Sequence, residues 1–164
     1  MIILGIDPGT RTVGYGLIRS QGSALSYVDA GAIQLRASDP LPKRLAGAAA
    51  GLREILQQHE VDEAAVEDVF VRENPRTALK IGQGRGALLA VLGEAGIEVA
   101  SYPPATVKRA VAGRGDAAKA QLGTMVARIL GLSEPPEPAD VSDALAVALT
   151  HALRRNHPEG RPAR

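Results

Sequence analysis

The sequence predicts an α/β fold in which a mixed five-stranded sheet is flanked by helices on both faces. Three observations point there. Ile2-Ile3-Leu4-Gly5-Ile6 is too short for a helix and too apolar for a solvated edge, so it suits a strand buried on both sides. Two further strand-like runs follow, joined by Gln21-Gly22-Ser23, which has hairpin chemistry. Beyond residue 40, helical periodicity alternates with short β-like runs, the order expected of crossover connections in a layered sheet.

Taken in order, the first strand ends at Asp7, and a Gly-rich stretch turns the chain. Val13 to Arg19 and Ala24 to Leu35 then complete an antiparallel three-strand start. Pro42 fits the first turn of a helix, where its missing N–H has no bond to lose, and Leu45, Ala48, Ala49, Leu52, Ile55 and Leu56 recur at helical spacing. A strand around Ala64 to Val69 follows; the crossover sets it parallel beside the first. A helix over roughly Arg76 to Ala95 leads to a fifth strand, Ile97 to Tyr102, which Pro103-Pro104 stops. The remainder is helical: Ala105 to Ala112, Ala117 to Leu130, and Asp140 to Leu153. Gly131 and Pro135-Pro136-Glu137-Pro138 separate the last two.

With 164 residues, 45% of them apolar, the chain can bury one ordinary core, and residues 1–155 are expected to form a single domain. The segment 156–164 is too polar and too rich in Pro and Gly to expect order. The chain has no cysteine, which excludes disulfides, thiolate catalysis and sulfur-ligated metals. The start lacks a basic leader and Asp7 interrupts its apolar run, so a cytoplasmic location and no membrane partner are expected. The net charge of +1 hides local asymmetry. From Pro104 to Arg128 the basic residues, Lys108 and Lys119 among them, face the single acid Asp116; Arg72, Arg76, Lys80 and Arg85 are opposed by Glu73 alone. Two basic runs beside an acidic site favour a polyanion.

The acids of that site are Asp7 and Glu67, which close apolar strands, and Asp140 and Asp143, which open the run Ala144-Leu145-Ala146-Val147. Carboxylates in aliphatic surroundings are costly to desolvate and repel one another unless a cation compensates them. Magnesium prefers oxygen ligands, and two ions about 3.5–4 Å apart would clamp the attacking water and the leaving oxygen of a phosphodiester. Manganese is an alternative. Asp7 also suits a turn acid before Pro8-Gly9. Alternation sends Glu67 and Asp68 to opposite faces, so only one joins the site, and residue patterns alone do not choose. Asp140 and Asp143, three apart, share a helix face and equally resemble a capping box.

Phe70 is the only phenylalanine and precedes the polar stretch Arg72 to Arg76, where a ring can stack on an unpaired base. Lys108 and Lys119 are candidates for positioning phosphates. Gly82, Gly84 and Gly86 fall inside a predicted helix, at about 1 kcal/mol each relative to alanine. Gly82 and Gly86 share a face that admits another helix, from this chain or from a second copy.

Five segments taken together resemble the RuvC-type Holliday-junction resolvases: Gly5-Ile6-Asp7-Pro8-Gly9-Thr10-Arg11 with Gly14-Tyr15-Gly16; Glu67-Asp68-Val69-Phe70; Ala78 to Gly86; Lys108 to Gln121; and Ala139-Asp140-Val141-Ser142-Asp143-Ala144-Leu145-Ala146. The resemblance implies a ribonuclease-H-like fold, a homodimer, and magnesium-dependent paired nicking of a four-way DNA junction, with RuvA and RuvB as branch-migration partners. It also implies that Asp7, Glu67, Asp140 and Asp143 are the catalytic metal ligands, which selects Glu67 over Asp68. Phe70 takes the position of a base-stacking residue and Lys108 and Lys119 of phosphate contacts, with Arg72, Arg76 and Lys80 as further DNA-binding candidates. Gly84 stands where the family more often has alanine. Three other readings compete: a phosphotransferase of the actin and sugar-kinase type, whose phosphate loop is similar to Asp7-Pro8-Gly9-Thr10; the YqgF-like group, ribonuclease-H-like proteins acting on RNA, which generally lack the matching Phe70 segment; and a junction-binding module whose acids only cap helices.

Overall fold

The computed structural model of the protein describes residues 1–69 and 75–156. Five strands form one sheet in the order β3-β2-β1-β4-β5: β1 (Ile2–Pro8), β2 (Thr12–Gln21), β3 (Ala24–Gln34), β4 (Glu63–Glu67) and β5 (Glu98–Tyr102). The first three pair antiparallel, while β4 runs parallel to β1 and β5 parallel to β4. The β2–β3 hairpin turns through Gly22-Ser23; Gly22 has φ 61°, a conformation open to glycine at the first central position of such a turn. A bulge beside Leu17 and Ile18 shifts the β2–β3 register.

Strand alternation divides the core into two layers. Leu4, Ile6, Ala64 and Val66 pack with Leu52 and Ile55 of α1 (Leu41–Gln58) and Leu88 and Leu92 of α2 (Pro75–Glu94). On the other face Ile3, Ile18 and Ala65 meet α3 (Pro104–Ala112), α4 (Lys119–Leu130) and α5 (Ala139–Asn156). Gly113 and Gly131, at φ 78° and 67°, end α3 and α4 in the left-handed conformation. Helices therefore cover both faces, as the sequence predicts.

Helix α5 is the innermost element: Ala144 to Leu149 are fully buried. Glycine makes that depth attainable. Gly5 and Gly16 are register partners on β1 and β2, and Asp7 pairs with Gly14. A Cβ built on Gly5 would lie 2.1 Å from the Ala144 carbonyl oxygen, one on Gly14 2.0 Å from that of Asp140, and one on Gly16 2.6 Å from the Leu145 side chain. Three missing side chains thus form the seat on which α5 rests against the strand backbones. That seat fixes where the first turn of α5 stands relative to Asp7.

The element ends differ from expectation in small ways. β4 stops at Glu67 instead of Val69, α4 starts at Lys119 instead of Ala117, and α5 extends to Asn156. The expected tail beyond that, residues 157–164, lies outside the described residues, as do Phe70 and Arg72. No helix among the described residues is long and apolar enough to cross a membrane.

Candidate metal centre

The parity of the strands decides which acids meet. Odd-numbered residues of β1 and β4 face α5, because Ile3 and Ala65 belong to that layer and Gly5 lies against Ala144. Asp7 and Glu67 continue the same parity, and one step past the Ile6–Val66 register pair they stand side by side at the strand ends. Asp68 falls on the opposite face and accepts a hydrogen bond from Arg85 Nη2 at 2.9 Å. Geometry alone therefore separates Glu67 from Asp68.

Asp140 and Asp143 arrive from α5. Asp140 lies inside the first turn, one residue beyond the start of the helix, so the capping-box alternative does not describe it. Asp143 accepts a 2.8 Å hydrogen bond from Lys119 Nζ, at the start of α4. The Asp143 side chain is only 12% exposed while that of Lys119 is 65% exposed, so a solvated lysine reaches in to a nearly buried carboxylate.

Charge is crowded here. Burial pushes the Asp7 carboxyl up to about 7, reinforced by the negative charges of Asp143 and Asp140, against the opposing pull of Lys119 and a hydrogen bond with Glu67. Glu67 is pushed up to about 8, again by burial first and then by Asp7 and Asp143, with Lys119 and Lys108 opposing. Lys119 is raised in turn, chiefly by its hydrogen bond to Asp143. Four carboxylates from β1, β4 and α5 thus form one electrostatic cluster with two lysines at its margin. Among the described residues no three acidic, histidine or cysteine side chains close into a finished ligand cage, and Lys119 supplies positive charge to the cluster. The donor set nevertheless fits a divalent ion. It is all oxygen, it is short of positive charge, and an ion would favour the ionised forms that burial and repulsion oppose.

The remaining candidates separate by element. Arg76 and Lys80 are exposed on the first half of α2. Arg85, grouped with them by the sequence, turns inward instead: its Nη2 donates to Asp68 Oδ1 and, at 2.6 Å, to Ser101 Oγ. Gly82 and Gly86 are exposed, and a Cβ on either would meet nothing within 4 Å, so they do not serve packing among the described residues. Gly5, Gly14 and Gly16, which set the site's geometry, carry a signal that chemistry-seeking patterns pass over: glycine recurring on one face of two apolar strands.

The sequence profile of the family described as crossover junction endodeoxyribonuclease RuvC matches residues 3–151. A crossover junction endodeoxyribonuclease RuvC from Chloroflexus aggregans is 48% identical over 152 residues, covering 93% of each chain. One from Actinobacillus succinogenes is 47% identical over 156 residues, covering 95% of this chain and 81% of the relative. Among solved structures, Thermus thermophilus RuvC in complex with a Holliday junction substrate superposes with a TM-score of 0.90 at 35% identity, over 99% of both chains. This chain belongs to the RuvC family of crossover junction endodeoxyribonucleases.

Proposed function

We propose that this nuclease resolves four-way DNA junctions as a homodimer, with Asp7, Glu67, Asp140 and Asp143 holding two magnesium ions in each protomer. The observation that carries the reading is the meeting of four carboxylates from three separate elements at one end of the sheet, with Lys119 and Lys108 beside them. Manganese would satisfy the same oxygen donors. Bound there, the ions supply Lewis-acid stabilisation of the attacking water and the leaving oxygen. The chain's own residues do the rest. Asp7 and Glu67, fixed by strand register, orient the donor atoms, and α5 delivers Asp140 and Asp143 on a buried helix that cannot shift easily. Lys119 is tied to Asp143 but mostly solvated, so it can turn to a phosphate oxygen as the strand enters, and Lys108 adds positive charge from α3. The water oxygen bonds to phosphorus and gives up a proton, the P–O3′ bond breaks, and the departing 3′ oxygen takes a proton, which leaves one nick with a 5′-phosphate and a 3′-hydroxyl that a ligase can rejoin.

Exposed Arg76 and Lys80 extend the positive surface along α2, and Phe70 and Arg72 are assigned to DNA by the family resemblance. The α2 face bearing Leu79, 65% exposed, together with Gly82 and Gly86 is the contact proposed for the second protomer. Two such sites related by a twofold axis match the pseudo-twofold of a junction. The relative solved on a Holliday junction supports this substrate. RuvA and RuvB are the partners the resemblance implies, and the cytoplasm, which holds the DNA in bacteria, is the location. The deciding experiment replaces Asp7 by Asn. The variant should fold and bind a synthetic four-way junction while losing magnesium-dependent nicking, and retained cleavage would remove Asp7 from the metal site.

A further inference from the structure

Arg85 lies on the stripe of α2 that also carries Ala78, Leu88 and Leu92, all buried, so helical periodicity turns it toward the sheet instead of toward solvent. Its side chain is only 21% exposed. Nη2 reaches two acceptors on neighbouring chain segments: Asp68 Oδ1 at 2.9 Å and Ser101 Oγ at 2.6 Å. Asp68 directly follows Glu67, and Ser101 is the register partner of Val66, which directly precedes Glu67. The Asp68 N–H also donates to the Tyr102 carbonyl at 2.9 Å, and Tyr102 is the register partner of Glu67 itself. The strand end carrying Glu67 is therefore held to β5, with one guanidinium bridging Asp68 beside Glu67 and Ser101 on the neighbouring strand. The grip has a cost, since among the described residues Arg85 Nε is buried without a hydrogen-bond partner.

We infer that Arg85 is a positioning residue for Glu67: it clamps the ends of β4 and β5 so that the Glu67 carboxylate is presented at a fixed place beside Asp7, and it ties that place to α2. Arg85 sits between Gly84 and Gly86, so the helix face proposed for the second protomer and the strand end carrying Glu67 are joined through one side chain. The Asp68 partner is 41% exposed, and ion pairs of that exposure contribute little to global stability. Their geometric role is separable from stability for that reason. The inference rests on the reading of Glu67 as a metal ligand.

The test uses the full chain and a synthetic four-way junction, comparing Arg85→Met, Arg85→Lys, Asp68→Asn and the double variant Arg85→Met/Asp68→Asn. Single-turnover nicking at saturating protein should fall about 10- to 100-fold in Arg85→Met, as small misplacements of a catalytic group do. The magnesium concentration for half-maximal rate should rise. Arg85→Lys, which keeps the charge and one contact, should recover part of the rate, and the double variant should be no worse than the worse single one. Junction affinity without metal should be unchanged and its salt slope intact, whereas a phosphate-contacting arginine would lower that slope by about one. An unchanged nicking rate, or a defect lying wholly in junction affinity, would overturn the inference. Asp68→Asn is nearly isosteric but removes the negative charge that holds the guanidinium, so it should slow nicking in the same direction, and it answers the question even if Arg85→Met does not fold. Glu67→Gln run alongside separates the two readings: if it nicks normally, the metal-site assignment fails, and if it is inactive while Arg85→Met and Asp68→Asn are normal, only the clamp fails.

Discussion

Asp7 and Glu67 keep their protons in the folded chain at pH values where the unfolded chain has released them, because burial and neighbouring acids oppose their ionisation. From about pH 4 to about pH 8 the metal-free folded state therefore binds more protons than the unfolded state, and this pair's contribution to stability falls as pH rises. Removing one charge relieves the repulsion most where it is greatest. Asp7→Asn should therefore gain stability over the wild type between about pH 5 and pH 8, by on the order of 1–3 kcal/mol, in metal-free urea denaturation. Adding magnesium at about pH 8 should reverse the order by stabilising the wild type alone. A gain independent of pH would mean that Asp7 is not crowded by its neighbours. In the proposed site metal displaces those protons, so apparent magnesium affinity should rise from about pH 6 to about pH 8, read by calorimetry as proton release that differs between buffers.

At the scale of elements, α5 is both the centre of one core layer and the carrier of two acids. Its seat is made of absent side chains, so the smallest addition is the sharpest probe. Gly14→Ala would place a methyl group 2.0 Å from the Asp140 carbonyl oxygen, and backbone cannot swing away as a flexible side chain can. The expected result is a loss of about 1–3 kcal/mol in urea denaturation, with nicking reduced further because the shift falls on the turn that holds Asp140. Gly93 on α2 is the control, since a Cβ there meets nothing within 4 Å. Equal effects at the two glycines would show that α5 is not held by close approach to β2.

At the scale of the whole molecule, α2 presents a helix face that the core formed by the described residues does not use. Leu79, Gly82 and Gly86 lie along the exposed side of α2, where leucine gains little burial and glycine gains no close approach among the described residues. Leu79→Glu with Gly86→Leu should not destabilise the protomer and should raise its stability by up to about 1 kcal/mol, since an exposed helical glycine is replaced by a good helix former. Sedimentation should nonetheless show monomers, and on a supercoiled cruciform plasmid singly nicked circles should replace linear product, since paired cuts need two sites on one junction. A variant that stays dimeric and linearises the plasmid would place the contact elsewhere.

Much of this architecture was legible in the chain itself. Apolar runs and helical spacing placed ten elements in order, with ends moved by a few residues where pairing stops, as at Glu67. The acids stood out because carboxylates at the ends of apolar strands demand an explanation. Local pattern misplaced Arg85, which a count of charges put with Arg76 and Lys80 although its helical position puts it inward. Sequence determined which residues alternate, which repeat every turn and where glycine interrupts. Only the tertiary structure decided which face of β4 looks toward α5, and so, by geometry, whether Glu67 or Asp68 stands with Asp7. The physical reason is that alternation has two equivalent phases along a strand, and contact with a helix from the far end of the chain, seated on Gly5, Gly14 and Gly16, selects one of them.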